Sequence, residues 1–475
     1  HPELSFALTV SLDGTIERFT IDATIREPST ITARGVFARE ADDWRLTGKI
    51  ASRSFTLDPW LEQPPLSFAD IALDVVFDRE QLQASGRFTV PEYELDAIGV
   101  AARGRFADRV LHVLGSEFTL PGSPCRVSTN GTLTFDGGPP NLDLTAHWTD
   151  LQWPLREEPV LRSPQGEAAL RGTLPYEFSM AGRVDTRNAP SANGTATGIL
   201  AKDNLSVASY DLHTLEGRIT GRGELQFAEP RAWTLEANAV GLNPVALHAE
   251  LPGSVSFRAI ASGAGLNEQA DFRLRLANVR GTLRGERLRG AGEVERRDRR
   301  WMVQDLSVAL GAANLALHAN LSETLDARWN LSTPAIEKLW PDAQGSIDFS
   351  GTASGKRATP HIVAELLGRD LSYQGWSART LSIDGDVDAT NARPSRLTIA
   401  AEQIGHGDRL VQTLRANGTG TALDHRIGVE IVGVAENSDA ASRAHMQVSG
   451  HYEEQTWTAT IATTQFTRGN PPQEL

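Results

Sequence analysis

The chain has 475 residues, of which 40% are hydrophobic and 22% are charged, a composition typical of globular proteins and not of disordered ones. Its 46 basic and 60 acidic residues give a formal net charge of −14, and because an acidic chain repels phosphate backbones, the sequence argues against nucleic-acid binding. The single cysteine, Cys125, excludes an internal disulfide and any cysteine-based zinc or iron–sulfur site.

Hydrophobic and polar residues alternate along most of the chain. The pattern occurs at residues 4–12, 19–25, 71–77, 142–148, 272–276, 315–317, 381–383, 397–399 and 427–431. Alternation with a period of two places one apolar and one polar row on opposite faces of a strand. Such strands form antiparallel sheets with one solvated face, because strands of a doubly covered parallel sheet are continuously apolar. Helical patterns are essentially missing, so an all-β fold is predicted.

Dipeptides typical of tight turns separate these segments. They are Asp13-Gly14, Asn130-Gly131, Asp136-Gly137, Asn193-Gly194, Asp384-Gly385 and Asn417-Gly418. Each combines residues that accept the positive φ of a hairpin turn. We therefore expect many short hairpins in chain order.

An internal repeat is visible in the second half of the chain. Residues 253–263 match residues 345–355, and each copy follows a Trp-x-Leu strand at 233–235 or 329–331. A proline-bounded insert at 243–252 or 333–341 lies between the Trp-x-Leu strand and the matching segment of each copy. Its first residue, Asn243 or Thr333, precedes a proline. This order predicts one or two helical turns, because Asn and Thr cap helices and proline suits the first helical position.

Further copies are predicted at residues 58–65 and, in diverged form, at 148–166. The chain is therefore expected to contain three to four units of roughly 85 to 100 residues that share a core with their neighbours. The predicted units span residues 1–140, 141–232, 233–328 and 329–475, as parts of one continuous groove. Four tryptophans are interpreted as core markers of the repeat: Trp148, Trp233, Trp329 and Trp457.

A long antiparallel sheet has to hide its edges and its apolar face. A closed sandwich and a sheet curled into a gutter both do so, and periodicity alone does not separate them. The absence of compact-domain boundaries favours an elongated repeat array curled into a U-shaped, taco-like groove with an apolar interior. The predicted groove-lining residues are Phe6, Leu8, Val10, Ile71, Leu73, Val75, Phe272, Leu274, Leu276, Ile347, Phe349, Ile427, Val429 and Ile431.

Signatures of catalysis are not found. The sequence has no H-E-x-x-H, G-x-S-x-G or G-x-G-x-x-G motif. The segment 351–356 differs from a phosphate loop, since it has one residue too few between its glycines and Arg357 replaces the required Ser or Thr. The eleven histidines are scattered, so no metal or other cofactor and no enzymatic activity are predicted. The basic run 296–300 is interpreted as a solvated hairpin tip, with a patch for anionic headgroups as the alternative.

The sequence also lacks a recognisable membrane anchor or export signal. No stretch approaches the roughly 20 consecutive apolar residues of a membrane helix. The first residues, His1-Pro2-Glu3, are not followed by a basic and then an apolar region. We therefore expect the chain to be a piece of a longer protein whose anchor lies elsewhere.

Three stretches give the chain a resemblance to a known family. They are residues 148–155, the unit repeated at 233–263 and 329–355, and residues 360–375 with the alternation that follows. In this order they resemble the TamB (translocation and assembly module) family of Gram-negative bacteria, within the AsmA-like group of bridge-like lipid transport proteins. The resemblance is best from about residue 140 onward, and we expect the family's N-terminal membrane helix and extreme C-terminal end to lie outside this chain.

The resemblance implies a periplasmic β-groove, anchored in the inner membrane through the missing helix and working with an outer-membrane barrel partner, TamA. It implies transport of phospholipids from the inner to the outer membrane, with an older role in assembling autotransporters and other outer-membrane proteins. Physical chemistry agrees, because an acyl chain in water costs about 0.8 kcal/mol per CH₂, and a continuous apolar groove removes that cost. The alternative is a scaffold or chaperone for outer-membrane strands that acts by β-augmentation. A surface adhesin with a closed interior is a third reading.

Overall fold

The computed structural model describes residues 7–26, 29–40, 43–55, 67–91, 95–136, 139–153, 159, 161–187, 190–266, 270–407, 409–421, 423–434, 441–453 and 456–469. These residues divide into two compact units. The first unit is His1–Ala249 with Ile260–Ala270, and the second is Glu250–Ala259 with Asp271–Leu475. The four predicted repeat boundaries stay predictions.

The described residues form thirty β-strands. Those of the first unit are β1 (Leu8–Gly14), β2 (Arg18–Ile25), β3 (Ile31–Glu40), β4 (Asp43–Phe55), β5 (Phe68–Asp78), β6 (Gln81–Val90), β7 (Leu95–Ala107), β8 (Val110–Thr119), β9 (Arg126–Thr134), β10 (Asn141–Trp153), β11 (Leu161–Gly172), β12 (Tyr176–Thr186), β13 (Ala192–Leu200), β14 (Asn204–Thr214), β15 (Gly217–Gln226) and β16 (Ala232–Leu242). Strand β17 (Gly253–Ala264) has residues in both units. Those of the second unit are β18 (Asp271–Leu283), β19 (Glu286–Arg297), β20 (Arg300–Leu310), β21 (Ala313–Leu321), β22 (Thr324–Thr333), β23 (Ala343–Lys356), β24 (Thr359–Tyr373), β25 (Trp376–Asp388), β26 (Ser395–His406), β27 (Arg409–Gly420), β28 (His425–Val434), β29 (Ala441–Glu453) and β30 (Thr456–Gly469).

Each unit is an antiparallel meander. From β1 to β16, every strand pairs with the next strand in chain order. The same holds from β18 to β30. The prediction of an all-β, antiparallel fold is confirmed, and its strands are longer and more numerous than the alternation alone indicated.

Both proline-bounded inserts contain a single turn of 3₁₀ helix, Pro244–Ala246 and Ile336–Lys338. The Asn243 side chain accepts a hydrogen bond from the Val245 N–H at 3.2 Å, as a helix cap does. Thr333 Oγ1 accepts from the Ala335 N–H at 3.3 Å and caps the turn that precedes the second helix. The short helical inserts are therefore confirmed, while the copy predicted at 58–65 lies outside the described residues. Among the described residues, no helix is long and apolar enough to cross a membrane.

Several hairpins turn on two residues that both have positive φ, as type I′ turns require. Such pairs are Asp108-Arg109, Leu215-Glu216, Arg284-Gly285, Asp298-Arg299 and Gln374-Gly375. The pair Asp298-Arg299 joins β19 to β20 inside the basic run, so the interpretation of that run as a hairpin tip is confirmed.

Four of the predicted turn dipeptides are wrong, because they lie inside strands. Asn130-Gly131, Asn193-Gly194, Asp384-Gly385 and Asn417-Gly418 belong to β9, β13, β25 and β27. The reason is steric, since a Cβ on Gly194 would lie 2.3 Å from Leu212 Cδ2 on the next strand. Asp13-Gly14 does end β1 beside the turn at 15–17, and Gly137 lies outside the described residues.

One face of each sheet is apolar and only partly buried. Strands such as β4 and β6 alternate between exposed and half-buried residues, so the apolar side is sheltered while the polar side faces solvent. No large side chain among the described residues is less than 2% exposed. A closed two-layer core would bury many such side chains completely. Each unit is therefore a single layer curled about its apolar face.

Bulges bend these strands. Asp70, Asp150, Asn278, Asp305 and Asp370 have φ between 46° and 54° inside strands, a conformation that Asp and Asn tolerate better than most residues. The strand register shifts at several of these positions. Such bulges bend a strand and increase its twist. They provide the local bends that curl a sheet.

Candidate functional site

The first unit carries an unbroken apolar row that crosses all of its strands. Starting at Val10, each residue of the row is the Cα partner of the next. The row consists of Val10, Ala23, Ala33, Ile50, Leu73, Gly86, Val100, Phe118, Val127, Trp148, Gly166, Gly182, Gly194, Leu212, Ile219 and Ala239. No polar side chain interrupts it, so the apolar face runs across every strand from β1 to β16.

The second unit has an equivalent row from β18 to β29. It consists of Val279, Gly290, Val308, Leu315, Leu331, Phe349, Leu366, Ile383, Ile399, Ala416, Val429 and Met446. Beside it lies a small buried cluster of Ala319, Ala327 and Ala353. We call these two rows the apolar row of the first unit and the apolar row of the second unit.

The predicted groove-lining residues lie on or beside these rows. Val10, Leu73, Phe349 and Val429 belong to the rows themselves. The same strands carry Leu8, Ile71, Val75, Phe272, Leu274, Leu276, Ile347, Ile427 and Ile431, of which Phe272 and Leu274 are seven and five residues from the row member Val279. Leu8 and Val10 are 60% and 50% exposed, because β1 is an edge strand paired on one side among the described residues, whereas the others are half-buried. Phe6 lies outside the described residues.

Aromatic side chains flank the apolar row of the first unit on both sides. On one side Phe19 stacks on Phe37 at 4.7 Å between ring centroids, and the contacts continue through Trp44 to Phe77. On the other side a second series runs from Phe55 through Phe68 and Phe88 to Phe118, itself a member of the row, with centroids 5.4 to 6.3 Å apart. These series were not predicted from the sequence, although the cross-strand spacing of the phenylalanines contained the signal.

Two of the predicted core tryptophans lie flat over glycines of the next strand. Trp148 is the Cα partner of Gly166, and Trp329 is the Cα partner of Gly351. A Cβ on Gly166 would come within 2.1 Å of Trp148 Cζ2, so only glycine leaves room for the ring. The core interpretation does not extend to Trp457, which is 52% exposed on β30 and donates a hydrogen bond to His425.

An apolar cavity of about 480 Å³ lies in the second unit, where β23 to β27 meet the short helix Ile336–Lys338. Its lining residues are Ile336, Ala343, Gln344, Ile347, Leu371, Ser372, Tyr373, Trp376, Ser377, Ala378, Leu381, Ile399, Ala401, Ile404 and Leu414. Bulges lie beside it, since β23 shifts register between Gln344 and Ser346 and β24 has Asp370 at a φ of 49°. Of the lining residues, only Ile347 was among the predicted groove residues.

The opposite face of each sheet carries ion pairs. In the first unit, Arg218 donates to Asp211 at 2.7 Å, and this hydrogen bond lowers the pKa of the Asp211 carboxyl. In the second unit, His361 Nε2 lies 2.6 Å from Asp386 Oδ1, and that hydrogen bond is the main cause of the lowered pKa of Asp386. These pairs are solvent-exposed and keep one face of each sheet hydrophilic.

Cys125 is buried at the start of β9, and its N–H donates to Ser123 Oγ at 3.2 Å. Burial, with a smaller contribution from Asp150, raises the pKa of the thiol above its ordinary value. A raised pKa disfavours the reactive thiolate. Within the described residues, no three His, Cys, Asp or Glu side chains converge as a metal site would need.

Comparison with known proteins identifies the family. A family model described as TamB, N-terminal domain, matches residues 122–473. The chain belongs to the TamB family. The match covers the strands from β9 onward, whereas the strands before it continue the same meander outside the matched range. It also covers the whole apolar row of the second unit and the cavity beside it.

A curated relative supports the TamB assignment. Over 266 residues the chain is 20% identical to the translocation and assembly module subunit TamB of Haemophilus influenzae. That alignment covers 55% of this chain and 20% of the relative. The chain therefore matches about a fifth of the length of that TamB protein.

Proposed function

We propose that this chain is a periplasmic segment of a bridge-like lipid transfer protein that moves phospholipids between the inner and outer membranes. The observation that supports the proposal best is the unbroken apolar row in each unit, on a face that is sheltered but not fully buried. An acyl chain on such a face leaves water at every step, which removes about 0.8 kcal/mol per CH₂. The headgroup stays in solvent.

The context of the proposal comes from the family. The Haemophilus influenzae relative is named as a subunit of a translocation and assembly module. We propose that the full-length protein of this chain works in such a module with an outer-membrane barrel partner, TamA. We further propose that a segment outside this chain anchors it in the inner membrane. Catalysis has no part in this function.

The test is the phospholipid content of the purified chain, measured by native mass spectrometry and lipid extraction. Val429→Asp places a carboxylate in the apolar row of the second unit, and we expect it to reduce the bound phospholipid strongly because a desolvated charge is costly. Leu274→Asp should do the same on β18. Gly428→Asp is the matched control, since it adds the same charge one residue away, where no atom lies within 4 Å of a new Cβ.

Equal phospholipid in folded Val429→Asp and Gly428→Asp would contradict the proposal. A lipid-free wild-type chain that also excludes added fluorescent lipid would favour the second candidate, a scaffold for outer-membrane protein or autotransporter assembly by β-augmentation. That candidate is supported by β1 and β30, which among the described residues pair on one side only.

A further inference from the structure

The apolar cavity of the second unit brings side chains from five strands and from the short helix around one open space. Ala343 and Ala401 form buried parts of its wall, 8% and 5% exposed. Leu371 and Ile404 come from strands on either side of β25, and Ile336 comes from the short helix. Bulges of β23 and β24 lie beside this space.

The chemistry of the wall selects hydrocarbon. None of the described lining residues is charged, and the polar ones are Gln344, Ser372, Ser377 and the hydroxyl-bearing Tyr373. A cavity lined by aliphatic side chains binds apolar groups and does not hold ordered water. Lys338, on the same helix as Ile336, is already paired with Glu286 at 3.0 Å. The wall therefore offers no cation for the carboxylate of a free fatty acid.

The size of the cavity selects one chain. At about 30 Å³ for each group the size of a water molecule or a methylene, 480 Å³ has room for about sixteen such groups. That is one acyl chain of ordinary length. The second acyl chain of the same lipid would need an equal volume, so it has to lie outside the cavity.

The rim carries exposed aromatic side chains. Tyr373 and Trp376 are 43% and 56% exposed, and Trp340 is 57% exposed with its ring 6.4 Å from that of Tyr373. The Trp376 ring packs against His406 at 4.3 Å. Phenol and indole rings suit a boundary between hydrocarbon and water, because each has an apolar body and a polar edge. The rim thus marks where a chain would enter and where its polar end would remain.

We propose that this cavity holds one acyl chain of a diacyl phospholipid, with the second chain on the open apolar face and the headgroup in solvent beyond the aromatic rim. The proposal rests on the lipid-carrying function proposed above. It adds that the apolar path contains a station, by which we mean a binding site where a lipid pauses with one chain in the cavity.

The experiment uses brominated lipid, because bromine quenches tryptophan on contact. The intact chain is titrated with vesicles of 1-palmitoyl-2-(9,10-dibromostearoyl)-phosphatidylcholine, and the emission of Trp376 is obtained as the difference between each protein and its Trp376→Phe counterpart. We expect this emission to be quenched with saturation. Ala378→Phe fills the cavity and should raise the lipid concentration for half-maximal quenching at least about tenfold. Arg379→Phe adds the same ring at the next residue of β25, which is exposed, and should leave that concentration unchanged.

Circular dichroism and thermal melting establish that each variant is folded. If Ala378→Phe does not fold, Ser372→Phe is a second way to fill the cavity. Undiminished quenching of Trp376 in the filled variants would overturn the station, as would stronger quenching by free 9,10-dibromostearate than by the phospholipid. Loss of the station alone leaves quenching of the other tryptophans and the co-purified lipid in place. If no tryptophan is quenched and no lipid co-purifies, the proposed lipid transport itself fails.

Discussion

The two units share one architecture but fill their apolar faces differently. In the first unit the apolar row contains Gly86, Gly166, Gly182 and Gly194, and the Trp148 ring lies over two of them, Gly166 and Gly182. In the second unit five successive strands, β22 to β26, contribute large residues to the row. These are Leu331, Phe349, Leu366, Ile383 and Ile399. Alternation thus decides which face is apolar, whereas side-chain size decides how much room remains above it.

The difference determines where each unit has space. In the first unit, large side chains also lie beside the glycine-containing row, in aromatic contacts such as Phe19 with Phe37 and Phe68 with Phe88. In the second unit the row has large residues on successive strands, and an open cavity lies beside it near Asp370. The proposed lipid path would therefore differ between the two units, passing the glycines in the first and the cavity in the second.

The largest effect is expected where the two units agree, at the tryptophan-over-glycine pairs. Gly166→Ala and Gly351→Ala would place a Cβ 2.1 and 2.4 Å from the Cζ2 atoms of Trp148 and Trp329. We expect each variant to lower the free energy of unfolding by about 2 kcal/mol, because overpacking forces the ring to shift. Urea unfolding followed by tryptophan fluorescence measures this loss.

Gly385→Ala is the control for both, since Gly385 lies in the same cross-strand row as Gly351 and its nearest contact would be 3.5 Å from Leu397. We expect its free energy of unfolding to stay within about 0.5 kcal/mol of wild type, or to rise slightly because alanine reduces the conformational entropy of the unfolded chain. Equal losses in all three variants would show that strand flexibility, and not the indole ring, requires these glycines.

The glycines also show what the sequence could and could not predict. Alternation in segments such as 71–77 and 427–431 was sufficient for the all-β fold and for the face on which the candidate residues lie. The sequence predicts a turn at Asn193-Gly194, because Asn-Gly is typical of hairpin turns and the pair alone looks the same when it lies inside a strand. What decides between them is the Leu212 side chain on the next strand, a neighbour that only the register reveals.

The cavity was missed for a related reason. Its wall combines residues from the short helix and five strands, from Ile336 to Leu414, and no local pattern connects them. The available local signal was the hairpin at 373–376, where Tyr373 and Trp376 flank a two-residue turn at the ends of β24 and β25. Exposed aromatic residues at a hairpin tip indicate a boundary with an apolar space, but the bulge at Asp370 beside this space depends on pairing between strands.

A smaller effect should separate the polar faces of the two units in acid. Asp211→Asn and Asp386→Asn each remove a carboxylate whose pKa is lowered, by Arg218 in one unit and mainly by His361 in the other. A lowered folded-state pKa contributes stability that is present above the ordinary value of 3.8 and lost as the pH falls through the lower folded value. Each variant should therefore melt below wild type at pH 7, and the difference should disappear once the pH has fallen below the lowered pKa of the folded state. A difference that persists in acid would assign the effect to lost packing and not to charge.

The smallest perturbation, alkylation of Cys125, distinguishes opening of the first unit from opening of the second. Because burial raises the pKa of this thiol, iodoacetamide at pH 7.5 should modify it at least about tenfold more slowly than a cysteine in a short peptide. The rate should climb as the pH approaches the raised value. Gly166→Ala loosens the first unit, where Cys125 lies, and should accelerate the modification, whereas Gly351→Ala in the second unit should not. Equal acceleration by both variants would mean that the two units unfold as one cooperative body, despite the different filling of their apolar faces.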